Sequence, residues 1–261
     1  DLSGYGPPMT ETTSLASPTR CGVVAVLGAP NAGKSTLVNS LVGQKVAITS
    51  AKAQTTRARM LGIALHELDG VPTQMILVDT PGIFAPRRRL DRAMVAAAWG
   101  GAADADVVVL MIEANRGVTE GVERILEGLQ DFGEHRKIAL AINKIDRIKS
   151  EALLALSEKM NEAYPFVATF MISAERGHGV DALKEWLAGE VPEGPWLYPE
   201  DQIADLPLRM IAAEMTREKL TLRLHQELPY QLTVETEKWE DRPDGSTRRK
   251  ISFKMNPRVN P

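Results

Sequence analysis

At 261 residues the chain exceeds one average domain and leaves room for a core domain with a small appendage. Its 44% hydrophobic and 25% charged residues exclude disorder throughout, and no apolar run approaches the roughly 18 residues a membrane-spanning helix needs. A net charge of −3 excludes a uniformly basic nucleic-acid binder, and one cysteine, Cys21, excludes a disulfide framework and points to a reducing compartment.

Residues 1–19 (DLSGYGPPMTETTSLASPT) are rich in Gly, Pro, Ser and Thr without apolar periodicity and read as a disordered leader. They lack the basic start and apolar stretch of a secretory signal, and Met9 is a candidate start. From Cys21 the run CGVVAVLG reads as a buried strand, followed by a Gly-rich turn and the helix-like LVNSLVGQ. Further strands are expected at Met60–Leu68, Thr73–Val78, Val107–Ile112, Ile138–Ile142 and Val167–Ile172. Amphipathic helices are expected at Leu90–Ala102, Glu120–Phe132, Ser150–Tyr164 and Val180–Ala188. This alternation predicts an α/β domain over 20–189 with a mixed, mostly parallel six-stranded sheet. An Asp-Gly turn makes the strands at 60–68 and 73–78 an antiparallel edge hairpin. Residues 190–206 are proline-rich and read as a linker. Beyond them, 207–261 reads as a small α+β module: a helix over Leu208–Leu228 ended by Pro229, a strand in YQLTVETEKWE, a turn in DRPDG and a strand in RRKISFKM. From Leu206 to Pro261 there are 11 Lys/Arg against 8 Asp/Glu, a local +3 that hints at a polyanion-binding module.

The chemistry concentrates in four short motifs, each at the C-terminal end of an expected strand. Gly28-Ala29-Pro30-Asn31-Ala32-Gly33-Lys34-Ser35 fits GxxxxGK[ST] between a strand and a helix, with Thr36 in the same nucleotide-binding set. Its glycines let backbone N–H groups close around a phosphate at a helix N-terminus, Lys34 reaches the β and γ oxygens, and Ser35 can ligate Mg²⁺. Asp79-Thr80-Pro81-Gly82 ends the strand MILV; Asp79 can hold the Mg²⁺ shell, and the Gly82 N–H is a candidate γ-phosphate contact. Asn143-Lys144-Ile145-Asp146 supplies a carboxylate that can accept from guanine N1–H and the 2-amino group, a donor pair adenine lacks. At Ser173-Ala174 a backbone N–H can meet the guanine O6.

In this order the motifs resemble the translation-factor-related class of P-loop GTPases. Ala53–Arg57 (AQTTR), the linker PWLYPEDQIADLP, the helix IAAEMTREKL and the strand entry ELPYQLTVE are similar to one family within it, the ribosome-assembly GTPase Era, over about residues 20–255. The resemblance implies a GTP-hydrolysing switch in small-subunit assembly, with GTP/GDP, small-subunit rRNA and the small ribosomal subunit as partners. It implies Mg²⁺ as cofactor, held by Ser35, Asp79 and Thr56, with Thr55 as the close competitor for the last position. Ala47 to Arg59 would be the first switch, and Gly82-Ile83-Phe84 onward the second. A peripheral inner-membrane fraction stays open beside the cytoplasmic location.

Ras-like enzymes orient water with a glutamine just after the DxxG glycine, and here that position is Ile83. The resemblance therefore places catalysis on Lys34, Thr56, the Gly82 N–H and Asn31, since related GTPases with asparagine in the loop can bind K⁺ in place of an arginine finger. A loop-shaping turn is the other reading of Asn31. Arg57 and Arg87-Arg88-Arg89 are further cationic candidates, the latter run reading rather as a solvated face. The family's C-terminal domain is a type II KH fold, whose GxxG loop clamps RNA. After Lys250 the chain reads ISFKMNPRVNP without a GxxG, so a truncated module with weak, non-specific RNA binding is expected. The alternative function is a GTP-binding module without regulated turnover, a structural or partner-sequestering fragment.

Overall fold

The computed structural model describes residues 18–47, 60–80, 82–83, 89–130, 137–202, 216, 232–241 and 247–255. Six strands form one sheet: β1 (Arg20–Gly28), β2 (Met60–Leu68), β3 (Val71–Asp79), β4 (Val107–Glu113), β5 (Lys137–Asn143) and β6 (Ala168–Met171), in the order β2-β3-β1-β4-β5-β6. All neighbours run parallel except β2 and β3, which pair antiparallel from Met60 opposite Asp79 to Leu68 opposite Val71. The hairpin turn between them, Asp69-Gly70, has φ of 50° and 77° at its two central residues, the mirror-image turn that suits the twist of paired strands.

Among the described residues five α-helices cover the two faces: α1 (Lys34–Val42), α2 (Arg89–Ala103), α3 (Glu120–Gln130), α4 (Ser150–Ala163) and α5 (Val180–Glu190). The alternation of side chains along each strand decides which helix meets which residue. Val24 and Val26 of β1 pack with Leu37, Val38 and Leu41 of α1 and Leu183 and Leu187 of α5. Ala25 and Leu27, one residue out of step, pack with Ala98 of α2, Ile125 and Leu129 of α3 and Met160 of α4. Because β1 lies between two parallel neighbours and under helices on both sides, its run can be apolar without alternation. That places the ends of β1, β3 and β5 on one rim, where loops to the helices begin.

The boundaries differ from expectation for physical reasons. β3 starts at Val71 because the tight turn brings it straight into pairing with β2. β4 and β5 each run one polar residue further, to Glu113 and Asn143, which face each other in register. β6 is four residues, the stretch that pairs with Ala139–Ile142 of β5.

The proline-rich segment after α5 is held along the sheet. Cys21 N–H donates to the Pro192 carbonyl at 3.1 Å and Gly194 N–H to that of Thr19 at 3.0 Å, so Thr19, expected at the end of a disordered leader, is anchored here. The wholly buried Gln74 accepts from the N–H groups of Leu197 and Tyr198, both at 3.0 Å, and donates to the Tyr198 carbonyl at 2.8 Å. Trp196 Nε1–H donates to the Pro72 carbonyl at 3.4 Å. Residues 191–198 are thus a strap across the starts of β1 and β3, at the rim opposite Gly28 and Asp79. Beyond it, β7 (Leu232–Asp241) and β8 (Thr247–Met255) form an antiparallel hairpin, as the alternating sequence predicts. Of the helix expected over Leu208–Leu228, Thr216 alone is described, and it is helical. Among the described residues no helix is long and apolar enough to cross a membrane.

Candidate functional site

The rim loops converge on the turn from β1 to α1. Gly28 and Gly33 have φ of 154° and 102°, and a Cβ at Gly28 would sit 2.4 Å from the Met111 carbonyl, one at Gly33 2.3 Å from Asn143 Nδ2. Neither position can carry a side chain, and the loop is drawn against β4 and β5 as a result. Within the loop Ala32 N–H donates to the Ala29 carbonyl at 3.3 Å, and Asn31 adopts φ 66°, a left-handed conformation asparagine tolerates. Lys34 opens α1 and is 7% exposed; its ammonium donates to the carbonyls of Gly28 at 3.1 Å and Ala29 at 3.0 Å. Burial brings its pKa down from the usual 10.5 to about 8, against the opposing pull of the Asp79 carboxylate.

The DTPG segment closes onto the same loop. Ser35 Oγ–H donates to Asp79 Oδ2 at 2.7 Å, and the buried Thr80 hydroxyl donates to the Val26 carbonyl at 2.7 Å. Gly82 lies so close to Pro30 that a Cβ would approach its nitrogen to 2.8 Å, and Ile83 N–H donates to the Gly28 carbonyl at 3.0 Å. Ile83, which offers no chemistry to a water molecule, is 4% exposed and belongs to the core beneath α2, α3 and α4. It anchors the start of this segment instead.

The NKID segment is stitched to the loop from the other side. Asn143 Nδ2–H donates to the Ala32 carbonyl at 2.8 Å and Lys144 Nζ–H to the Asn31 carbonyl at 2.7 Å. Asp146 Oδ1 accepts from Ser173 Oγ–H at 2.8 Å, and Arg176 Nε lies 3.6 Å from Oδ2. The Ser173 hydrogen bond holds the Asp146 carboxyl below the usual carboxylate range, with the charges of Arg176 and Arg147 adding to it. The Ala174 N–H donates to Asn143 Oδ1 at 3.0 Å and the Ser173 N–H to the His178 carbonyl at 2.9 Å.

Gly28 to Thr36, Asp79, Thr80, Gly82, Asn143, Lys144, Asp146, Ser173 and Ala174 are therefore brought to one rim. Pro81, Thr55, Thr56, Arg57, Phe84, Arg87 and Arg88 lie outside the described residues. Two contributors escape a reading by motif. Asn39 on α1 accepts from the N–H groups of Val46 and Ala47, both at 2.8 Å, and donates to the Ala47 carbonyl at 2.8 Å, fixing the chain where the expected first switch begins. Glu113 ends β4 and meets Lys144 at 2.7 Å; its signal is a carboxylate closing an otherwise apolar strand.

A family model described as 50S ribosome-binding GTPase matches residues 23–144. The chain is 68% identical to the GTPase Era of Dinoroseobacter shibae over 237 residues, 90% of this chain and 76% of that protein. It is 60% identical to the GTPase Era of Agrobacterium fabrum over 89% of this chain and 72% of that one. The chain belongs to the Era family of GTPases. Two solved Era structures share its fold at 36% identity over 90% of this chain. One is a complex with MgGDPNP and nucleotides 1506–1542 of 16S ribosomal RNA, with a TM-score of 0.80 over 78% of that chain. The other is a point variant of Aquifex aeolicus Era bound to GDP.AlF4-, with a TM-score of 0.81 over 79%.

In this Era-family chain the buried ammonium of Lys34 leaves a measurable trace. An unfolded lysine keeps its proton up to 10.5, whereas the folded one releases it near 8. Between those values the unfolded state binds more protons, so stability rises with pH. Urea unfolding of the nucleotide-free chain should show it gaining about 2 kcal/mol relative to Lys34→Met between about pH 7 and pH 10. A difference independent of pH would mean that the ammonium stays solvated.

Proposed function

We propose that guanine nucleotide binds along this rim, phosphates in the Gly28–Ser35 loop and base on Asp146, and that its hydrolysis switches the chain during small-subunit assembly. The observation that carries this reading is the double tie of the NKID segment to the phosphate loop. Asn143 and Lys144 fix the base-reading carboxylate relative to the turn that would hold the phosphates. Asp146 already has Ser173 on one oxygen, and a carboxylate has about four acceptor sites, enough for the N1–H and 2-amino group of guanine as well. An adenine edge would leave it facing an acceptor. The Ala174 N–H would then share its bond to Asn143 with the base carbonyl.

Lys34 would exchange the carbonyls of Gly28 and Ala29 for phosphate oxygens, which restore the counter-charge that burial denies it. The hydroxyl of Ser35 and the carboxylate of Asp79 are hard oxygen donors 2.7 Å apart beside that lysine, a set that fits Mg²⁺. Bound there by Ser35 and Asp79, and by Thr56 or Thr55 from the first switch, Mg²⁺ would neutralise charge on the β- and γ-phosphates. Gly82, packed on Pro30, would present its N–H to the γ-phosphate. With Ile83 buried, no side chain at that position orients water. We assign the missing charge to K⁺ held with Asn31, whose left-handed backbone lies in the phosphate loop.

The partner we propose is small-subunit rRNA, supported by the solved relative that holds a 16S fragment. Arg248, Arg249 and Lys250 on β8 would meet RNA phosphates, so affinity should fall steeply with salt.

Asp146→Asn should lower GTP affinity by about a hundredfold and favour xanthosine triphosphate, measured by calorimetry. Unchanged preference for GTP would move the base elsewhere. GTP turnover in matched potassium and sodium chloride, with and without a small-subunit 3′-end RNA, tests the rest. Rates should be several-fold higher in potassium. Asn31→Gly, which keeps the backbone conformation, should erase the difference. Equal rates in both salts would return Asn31 to shaping the loop. RNA affinity that does not change with salt would refute these phosphate contacts.

A further inference from the structure

We propose that Glu113 is a positioning residue of the nucleotide site: it sets the Lys144 side chain so that its ammonium ties the base-reading loop to the phosphate loop. The first six residues of β4 are buried and apolar; Glu113, the seventh, is the strand's sole charge. A carboxylate placed there loses much of its water, and a strand so apolar gains nothing from it by packing. Its side chain is 10% exposed, and Oε2 lies 2.7 Å from Lys144 Nζ. Arg116 is a distant second partner, 3.8 Å from Oε1 and 60% exposed.

The same ammonium donates to the Asn31 carbonyl at 2.7 Å. Lys144 therefore bridges a carboxylate on β4 and a carbonyl in the phosphate loop. The backbone is built for this bridge. Glu113 stands opposite Asn143 in register, Ala114 N–H donates to the Asn143 carbonyl at 2.8 Å, and Lys144 itself takes φ 65°, a strained conformation for a residue with a Cβ. A lone carbonyl does not hold an ammonium that water can reach, because a flexible lysine stem turns outward at little cost. The carboxylate makes the inward position the stable one. With the bridge in place, the Asn31 and Ala32 carbonyls are both committed to the NKID segment.

The proposal rests on the guanine-nucleotide reading above. Release of a fluorescent GDP analogue, timed by stopped flow on the full chain, separates the two. Glu113→Gln, which keeps shape and removes charge, should speed release about tenfold, the loss appearing in the off-rate. Glu113→Asp, which keeps the charge on a shorter stem, should recover part of it. In a Lys144→Met background, Glu113→Gln should change release by less than about twofold, because the interaction it removes is already gone. Urea unfolding of each nucleotide-free variant shows whether stability changed as well, and the Lys144→Met pair decides in either case. Unchanged release in Glu113→Gln, or the same tenfold effect with and without Lys144, would overturn the assignment. An unsubstituted chain that failed to bind the analogue would overturn the guanine reading, and this proposal with it.

Discussion

Two hydrogen bonds join segments 111 and 113 residues apart, and the site depends on them: Asn143 to the Ala32 carbonyl and Lys144 to the Asn31 carbonyl. A phosphate-binding turn needs its N–H groups pointing at the ligand, which leaves its carbonyls facing the protein and in need of donors. The NKID segment supplies them. It can do so because β1, β4 and β5 run parallel and end on one rim, an arrangement fixed by the apolar runs of those strands and the helices packed on both faces. Packing thus sets the topology, the topology sets the distance between loops, and two polar side chains turn that distance into a rigid relation between base site and phosphate site.

The same rim stores unfavourable electrostatics. Lys34 is buried with carbonyls for company, an arrangement that lowers its basicity and costs stability until an anion arrives. Ser35 and Asp79 are held together beside it, and Gly82 closes on Pro30. An apolar residue at position 34 would fold as well or better and could hold no phosphate. At the opposite rim the requirement is different. Gln74 is buried, yet both ends of its amide are satisfied by the strap at Leu197 and Tyr198. β3 therefore runs between the strap at Gln74 and the site at Asp79.

Much of this is legible in the sequence. The doubly wound sheet follows from the spacing of apolar runs, and even the edge hairpin is written in Asp69-Gly70. The phosphate, DTPG and NKID motifs can be read because each packs its chemistry into a few consecutive residues. Contacts that join distant segments cannot. The strap reads as a linker because its prolines carry no periodicity, while what holds it lies far upstream: Gln74 and Pro72 of β3 and the backbone of Thr19 and Cys21. Glu113 looks like the polar end of a strand until register places it opposite Asn143. Motif spacing offers the base a backbone N–H at Ser173-Ala174 but says nothing of Asn143 Oδ1, which holds the Ala174 N–H here. Ile83 stands out in the sequence for the chemistry it lacks, whereas its burial shows what it does.

The central claim is that this rim is a site for guanine nucleotides, with Asp146 reading the base. The most direct measurement is calorimetric titration of the unsubstituted chain with GDP and with ADP in the same Mg²⁺-containing buffer. The two share every phosphate and ribose contact and differ only at the base. The account predicts that GDP binds at least about a hundredfold more tightly, since ADP leaves the Asp146 carboxylate without the donors it is placed to receive. Equal affinity for the two would contradict it.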